Sequence, residues 1–182
     1  MKTRQLGNSE LHLTTVGIGT WAIGGGDWAF GWGDQDQESA IEGIIAGVDL
    51  GINWIDTAAV YGAGASEVLV GKALAKMEPS CRPLVATKCG RINREDGTVF
   101  GRITKESVIA ECEASLIRLG VDCIDLYQMH WPDPDSDIEE GWTAMMELKK
   151  SGKVREIGVS NFNVEQMKRI GEIHRVASLQ PP

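Results

Sequence analysis

An α/β fold of parallel strands, the greater part of a (β/α)8 barrel, is what this sequence predicts, and three observations predict it. Short β-branched or apolar runs alternate along the whole chain with stretches of helical period, the pattern of parallel strands joined by crossover helices. The fingerprint of an open, doubly wound dinucleotide-binding sheet is missing. Gly17-Ile18-Gly19-Thr20-Trp21-Ala22 and Gly62-Ala63-Gly64-Ala65-Ser66-Glu67 each lack the third glycine, and Gly71-Lys72 is followed by Ala73 where a phosphate loop needs Ser or Thr. Finally, polar residues close three successive apolar runs, at the strand ends where a parallel barrel builds its site. Units of about 30 residues each give six strands and five helices, so residues 1–182 are expected to be one barrel domain truncated before strands 7 and 8.

Residues 4–6 and 10–13 flank Gly7-Asn8-Ser9, which suits a small hairpin outside the parallel sheet, a lid on one end. Strands are expected at 15–19, 53–56, 84–88, 124–130, 154–159 and 178–182, with helices at 37–50, 65–76, 104–119, 138–151 and 163–175. Thr104, with Glu106 and Ser107 after it, and Asn163, with Gln166 at the third helical position, read as amino-terminal caps; Gly51, Gly120 and Gly152 stand where helices stop. Residues 24–33, rich in Gly and Trp without periodicity, read as a loop, as do 58–64 and 90–103. All three follow strands directly, where such folds place binding loops.

Composition narrows the function. With 182 residues and 42% hydrophobic content the chain buries a substantial core. Its 18 Lys plus Arg against 26 Asp plus Glu leave a formal charge of -8, which disfavours nucleic acid and anionic membrane surfaces as partners. No apolar run approaches the roughly 20 residues of a membrane span, and the polar start lacks the apolar core of a signal peptide. A cytoplasmic protein is expected. Cys81, Cys89, Cys112 and Cys123 match neither a paired CxxC zinc site nor a thioredoxin motif, and His12, His130 and His174 form no HExxH, so no metal site is expected.

Three neighbouring strands end in Asp56, Lys88 and His130, and Tyr61 lies five residues past Asp56 in a loop able to reach back over the same end. A lysine closing a buried strand needs a carboxylate, and Asp56 supplies it. The set suits reduction of a carbonyl. Hydride addition leaves an alkoxide that must take a proton, and a phenol is a poor acid near neutrality unless a cation such as Lys88 lowers its pKa. Asp56 would anchor Lys88, and His130 would hydrogen-bond the substrate oxygen. Singly, each residue has an ordinary structural explanation; packing does not demand the joint arrangement.

On these residues the sequence resembles the aldo-keto reductases. The resemblance rests on Gly19-Thr20-Trp21, on the run from Gly51 to Gly62 followed by Ser66-Glu67, on Thr87-Lys88, on Met129-His130-Trp131-Pro132, and on the run from Gly152 to Phe162. It implies a (β/α)8 barrel, carbonyl reduction with NADPH more often than NADH, and a catalytic tetrad of Asp56, Tyr61, Lys88 and His130. It also implies a nicotinamide site of Ser160, Asn161 and Gln180, cofactor contacts at Gly19, Thr20 and Asp56, and a small carbonyl substrate walled by Trp21 and Trp131. The bacterial branches that reduce aldehydes and small ketones are the most similar.

The family continues past strand six with loops that bind the rest of the cofactor, so an incomplete barrel with open edges and possible self-association is expected. The main alternative is a shortened cofactor-binding or regulatory module with little turnover. A Schiff-base role for Lys88 is weaker, because a neighbouring carboxylate opposes the depressed pKa such chemistry needs.

Overall fold

A computed structural model describes residues 1–25 and 31–182. Half of the expected loop over 24–33, residues 26–30 with Trp28 among them, lies outside the described residues. The chain opens with an antiparallel hairpin of β1 (Thr3–Gln5) and β2 (His12–Thr14). There follow β3 (Ile18–Gly19), α1 (Gln37–Asp49), β4 (Trp54–Asp56), α2 (Ala65–Ala75) and β5 (Leu84–Cys89). A second hairpin, β6 (Arg91–Asn93) and β7 (Val99–Gly101), precedes α3 (Lys105–Leu119) and β8 (Ile124–Met129). The chain ends with α4 (Ile138–Lys150), β9 (Val154–Ser160), α5 (Val164–Gly171) and β10 (Leu179–Gln180).

Six strands form one parallel sheet in the order β3-β4-β5-β8-β9-β10, an incomplete barrel. Alternation along each strand sorts its residues. Ile55, Val85, Tyr127, Met129, Ile157 and Val159 pack outward beneath the helices, together with Ile41, Val70, Cys112, Trp142 and Met145. Each large side chain so buried contributes about 1.5–3 kcal/mol. The residues between them turn inward: Ala86 and Leu126 form a separate small cluster with Leu11, joined by Trp54 and Leu84.

That inner cluster explains the first hairpin. It plugs the amino-terminal end of the barrel, held by Trp54 Nε1 donating to the Thr14 carbonyl at 2.9 Å and by Asn53 Oδ1 accepting from Thr14 N at 2.8 Å. Gly17 is required there, because a Cβ would overlap the Trp54 indole. The docking consumes residues expected as strand, so the 15–19 run shortens to Ile18–Gly19. Such a plug leaves the opposite end, where Asp56 and Lys88 stand, as the open mouth.

The caps are as the sequence suggests. Asn163 and Gln166 form a reciprocal capping box, Thr104 Oγ1 accepts from Ser107 N at 3.4 Å, and Gly120 closes α3 in the left-handed region with φ 65°. Three expectations need correction. The helix over 163–175 stops at Gly171, the last strand covers only Leu179–Gln180, and the loop over 90–103 contains the β6–β7 hairpin. Asp96-Gly97 makes its turn, with Gly97 at φ 81° and Asp96 Oδ1 accepting from Thr98 N at 2.9 Å. Among the described residues no helix is long and apolar enough to cross a membrane, and no group of side chains is arranged to hold a metal ion.

Candidate active site

At the carboxyl end of the sheet, register sets the first two residues. β4 and β5 pair with Asp56 opposite Ala86, so Asp56 and Lys88 both project inward from neighbouring strands. Lys88 is only 2% exposed, and Nζ reaches Asp56 Oδ1 at 2.9 Å and Oδ2 at 2.8 Å, and the Thr57 carbonyl at 2.9 Å. The pair satisfies the rule that a buried ammonium needs both charge and hydrogen bonds. Burial pushes the Lys88 amine below its ordinary value, with Asp56 opposing.

Tyr61 comes from the turn after β4. That turn runs through left-handed backbone at Gly62 (φ 57°), Ala63 (φ 51°) and Gly64 (φ 93°). Gly24 packs directly on Tyr61 and Gly62, and Asn93 Nδ2 donates to the Val60 carbonyl at 3.1 Å, tying the turn to the second hairpin. The phenol oxygen lies 3.5 Å from Lys88 Nζ. The His130 ring stands at 80° to the Tyr61 ring, centroids 5.8 Å apart, and the Trp21 ring stacks on Tyr61 with centroids 6.3 Å apart. His130 follows β8 directly, with its N–H donating to the Cys89 carbonyl at 2.9 Å, so it continues the strand as expected. All four tetrad positions therefore meet at one mouth.

The electrostatics differ from the sequence expectation in one respect. Burial, and after it the Asp56 charge, raises the Tyr61 phenol above its ordinary value, whereas the sequence reading had Lys88 lowering it. Burial is the larger cause; beside it, Asp56 lies within 2.9 Å of Lys88 Nζ and offsets its charge, while the phenol oxygen stands farther off. His130 is lowered to about 3, first by burial and then by Lys88 and Arg91, so its ring is neutral.

The remaining expected residues divide. Ser160 ends β9 and Asn161 follows it; Asn161, left-handed at φ 63°, donates from Nδ2 to the His130 carbonyl at 2.9 Å and to Ser160 Oγ at 3.0 Å. Gln180 Nε2 donates to Asp56 Oδ2 at 3.4 Å. Thr20 is buried, its hydroxyl donating to the Asp56 carbonyl at 3.0 Å and accepting from Ser66 Oγ at 2.8 Å, so it braces Asp56. Gly19 has open space where a Cβ would be. Trp21 and Trp131 wall a cleft of about 290 Å³ with Val60, Tyr61, Arg91, Val99, His130 and Asn161. Trp54 and Trp142 are packing residues.

Sequence reasoning passed over Arg91, Val60 and Val99 because they sit in stretches read as loop. The Asp96-Gly97 turn was the signal available for the hairpin that carries two of them. It also passed over the bracing outside the strand: Thr87 Oγ1 donates to the fully buried Glu67 at 2.6 Å, and Glu67 pairs with Arg118.

A nicotinamide cofactor can be tested against this donor set. Among the described residues Gln180 Oε1 and His130 Nδ1 are buried without a hydrogen-bond partner, a position that costs free energy unless something else bonds them. A carboxamide carries both donors and acceptors, and Gln180, Ser160 and Asn161 offer both in return. The residues fit the nicotinamide end of such a group.

A half-closed parallel barrel with an ammonium, a carboxylate, a phenol and an imidazole converging at its mouth defines a family of α/β barrel proteins. Residues 15–182 match the aldo/keto reductase family, and the chain belongs to it. It is 41% identical to aldo-keto reductase YhdN of Bacillus subtilis over 182 residues, all of this chain and 54% of that protein. It is 40% identical to an NADH-specific methylglyoxal reductase of Escherichia coli over 180 residues, 92% of this chain and 54% of that protein. The solved glycerol dehydrogenase AKR11B4 of Gluconobacter oxydans superposes with TM-score 0.87 at 41% identity, covering 99% of this chain and 54% of that one. The chain thus spans about half the length of the relatives it matches.

Proposed function

We propose that this protein reduces aldehydes or ketones to alcohols with a nicotinamide dinucleotide, NADPH in the first instance, and that Tyr61 is the proton donor. The observation that carries the reading is the placement of the Tyr61 phenol oxygen 3.5 Å from Lys88 Nζ, with the neutral His130 ring edge-on across the cleft. Family membership and the names of the two enzymes of known substrate, a methylglyoxal reductase and a glycerol dehydrogenase, support the same chemistry.

When bound, the reduced nicotinamide supplies a hydride to the carbonyl carbon. Everything else is the work of side chains. Gln180, Ser160 and Asn161 hold the carboxamide, and Trp21 and Trp131 hold the substrate against the mouth. The carbonyl oxygen lies between the Tyr61 hydroxyl and the His130 ring, whose single N–H donates to it and polarises it. As the carbon takes the hydride, the carbonyl electron pair moves to oxygen, and Tyr61 gives that oxygen its proton. An ammonium has no acceptor, so the phenol oxygen accepts from Lys88, and the phenolic proton is the one available for transfer. The resulting phenolate is held by Lys88 and regains its proton from water.

The raised pKa of Tyr61 does not weaken this scheme. The competing base is an alkoxide, whose conjugate acid is about as weak an acid as water itself. A phenol shifted upward still gives its proton to such a base, and a neutral resting phenol always has that proton to give.

The test is oxidation of NADPH, and of NADH in parallel, with a simple aldehyde by the purified protein and its Tyr61→Phe variant. Removing a general acid costs typically ~100- to 10,000-fold, so kcat/KM is expected to fall by at least ~100-fold with cofactor binding unchanged. Equal rates for the two proteins overturn the assignment of Tyr61.

A further inference from the structure

We infer that Arg91 makes the cleft selective for carbonyl compounds bearing a second, uncharged oxygen, a hydroxyl or another carbonyl, beside the reacting one. The inference rests on the reductase reading above and narrows its substrate class.

Among the described residues that line the cleft, Arg91 is the one that carries a full charge. Tyr61 and His130 face the reacting oxygen, and the Asn161 amide donates to the His130 carbonyl and to Ser160. Arg91 brings further donors to the same wall. A guanidinium carries five N–H donors in a fixed fork; among the described residues only Nη1 is used, toward Asp133 Oδ2 at 2.8 Å. The side chain is 24% exposed, lines the cleft, and lies close enough to His130 to depress its protonation.

The pair with Asp133 is built into the backbone. Arg91 stands opposite Gly101 in the β6–β7 hairpin, and a Cβ on Gly101 would overlap the Asp133 carboxyl group. Only glycine there leaves Asp133 room beside the guanidinium. This balance of charge decides what Arg91 recognises. A substrate carboxylate would meet Asp133 as well as Arg91, in a chain of formal charge -8. A hydroxyl or second carbonyl accepts the remaining N–H groups without that repulsion. The volume of about 290 Å³ suits a small molecule.

Three ketones of nearly equal size separate the possibilities: hydroxyacetone with a hydroxyl, butanone with a methyl in its place, and pyruvate with a carboxylate. Hydrogen bonds to charged groups are worth about tenfold or more in an equilibrium. The wild-type protein is therefore expected to show kcat/KM for hydroxyacetone at least about tenfold above that for butanone, with pyruvate the poorest. Arg91→Met is expected to abolish the preference for hydroxyacetone over butanone. Arg91→Lys, which keeps the charge and loses the fork, is expected to fall between the two, and Asp133→Asn to improve pyruvate. Thermal unfolding of each variant separates lost recognition from lost folding. An unchanged hydroxyacetone preference in folded Arg91→Met, or an equal loss on butanone, overturns the inference while the reductase reading stands. If the wild-type protein oxidises NADPH with none of the three ketones and with no simple aldehyde, the reductase reading falls and this inference with it.

Discussion

Gln180 Nε2 donates to Asp56 Oδ2 at 3.4 Å, joining two strands that stand four places apart in the sheet. Only a strongly curled sheet brings such strands within reach of each other's side chains. The contact gives Gln180 a fixed orientation: its Nε2 faces Asp56, and its Oε1 is the buried atom without a partner among the described residues. Replacing Gln180 by Glu puts a second carboxylate beside Asp56, and like charges at that range destabilise each other. NADPH affinity, read by fluorescence titration, is expected to fall about tenfold, the worth of one good hydrogen bond. An unchanged affinity removes Gln180 from the cofactor site.

The Asp56–Lys88 pair has separable contributions to folding and to turnover. Lys88→Met leaves the Asp56 carboxylate, only 16% exposed, without its cation. Breaking one partner of a buried pair costs about 3–5 kcal/mol, whereas removing both is often close to neutral. Denaturant unfolding is expected to show Lys88→Met strongly destabilised and the Asp56→Asn, Lys88→Met double variant largely restored. Turnover is expected to stay low in both, because neither holds the phenolate. A double variant that regains activity along with stability would show that the pair serves folding alone.

How much of this was readable from the sequence depends on range. The Asp, Lys and His positions were legible because each ends an apolar run, so that period-two alternation and strand register fix them together. Tyr61 was legible only through its distance from Asp56. The hairpin at 91–101 was missed because its strands are short and half-buried, with weak alternation, although Asp96-Gly97 marked the turn. The shortening of the first strand to Ile18–Gly19 was not legible, since it follows from the docking of Thr14 on Asn53 and Trp54, contacts some 40 residues apart. The direction of the Tyr61 shift was likewise beyond a sequence reading. It turns first on how deeply the folded chain buries the phenol and then on the nearness of the Asp56 charge.

His130 gives a pH test with a definite sign. Its folded value of about 3 lies below the ordinary 6.5. Between those limits the unfolded chain binds a proton that the folded chain does not, so stability rises with pH across this window and is lost as pH falls from 6.5 toward 3. At pH 5 the loss from this group alone is ~2 kcal/mol relative to pH 7. His130→Gln is expected to remove that part of the pH dependence, measured by urea unfolding at the two pH values. The same neutrality means that kcat/KM is expected to show no limb near pH 6.5. A titration of activity centred there would mean that the ring gains a proton in the working enzyme.

Gly62 tests whether backbone strain beside Tyr61 matters to the chemistry. Its φ of 57° is left-handed, which costs an L residue roughly 1–2 kcal/mol. An added Cβ would also overlap the Gly24 carbonyl oxygen. Gly24 lies on backbone and cannot swing aside as a side chain would, so relief must come from movement of the turn that carries Tyr61. Even a shift of about 1 Å in a reacting group can cost ~100-fold in rate. Gly62→Ala is therefore expected to lower the melting temperature modestly and kcat by a much larger factor, with NADPH affinity retained because Gln180, Ser160 and Asn161 stand on other strands. Gly97→Ala, also left-handed at φ 81° but at an open turn with nothing within 4 Å of a Cβ, is the matched control. It carries the same kind of strain without touching Tyr61, so a comparable loss of kcat in both variants would show that general destabilisation, and not displacement of the phenol, accounts for the effect.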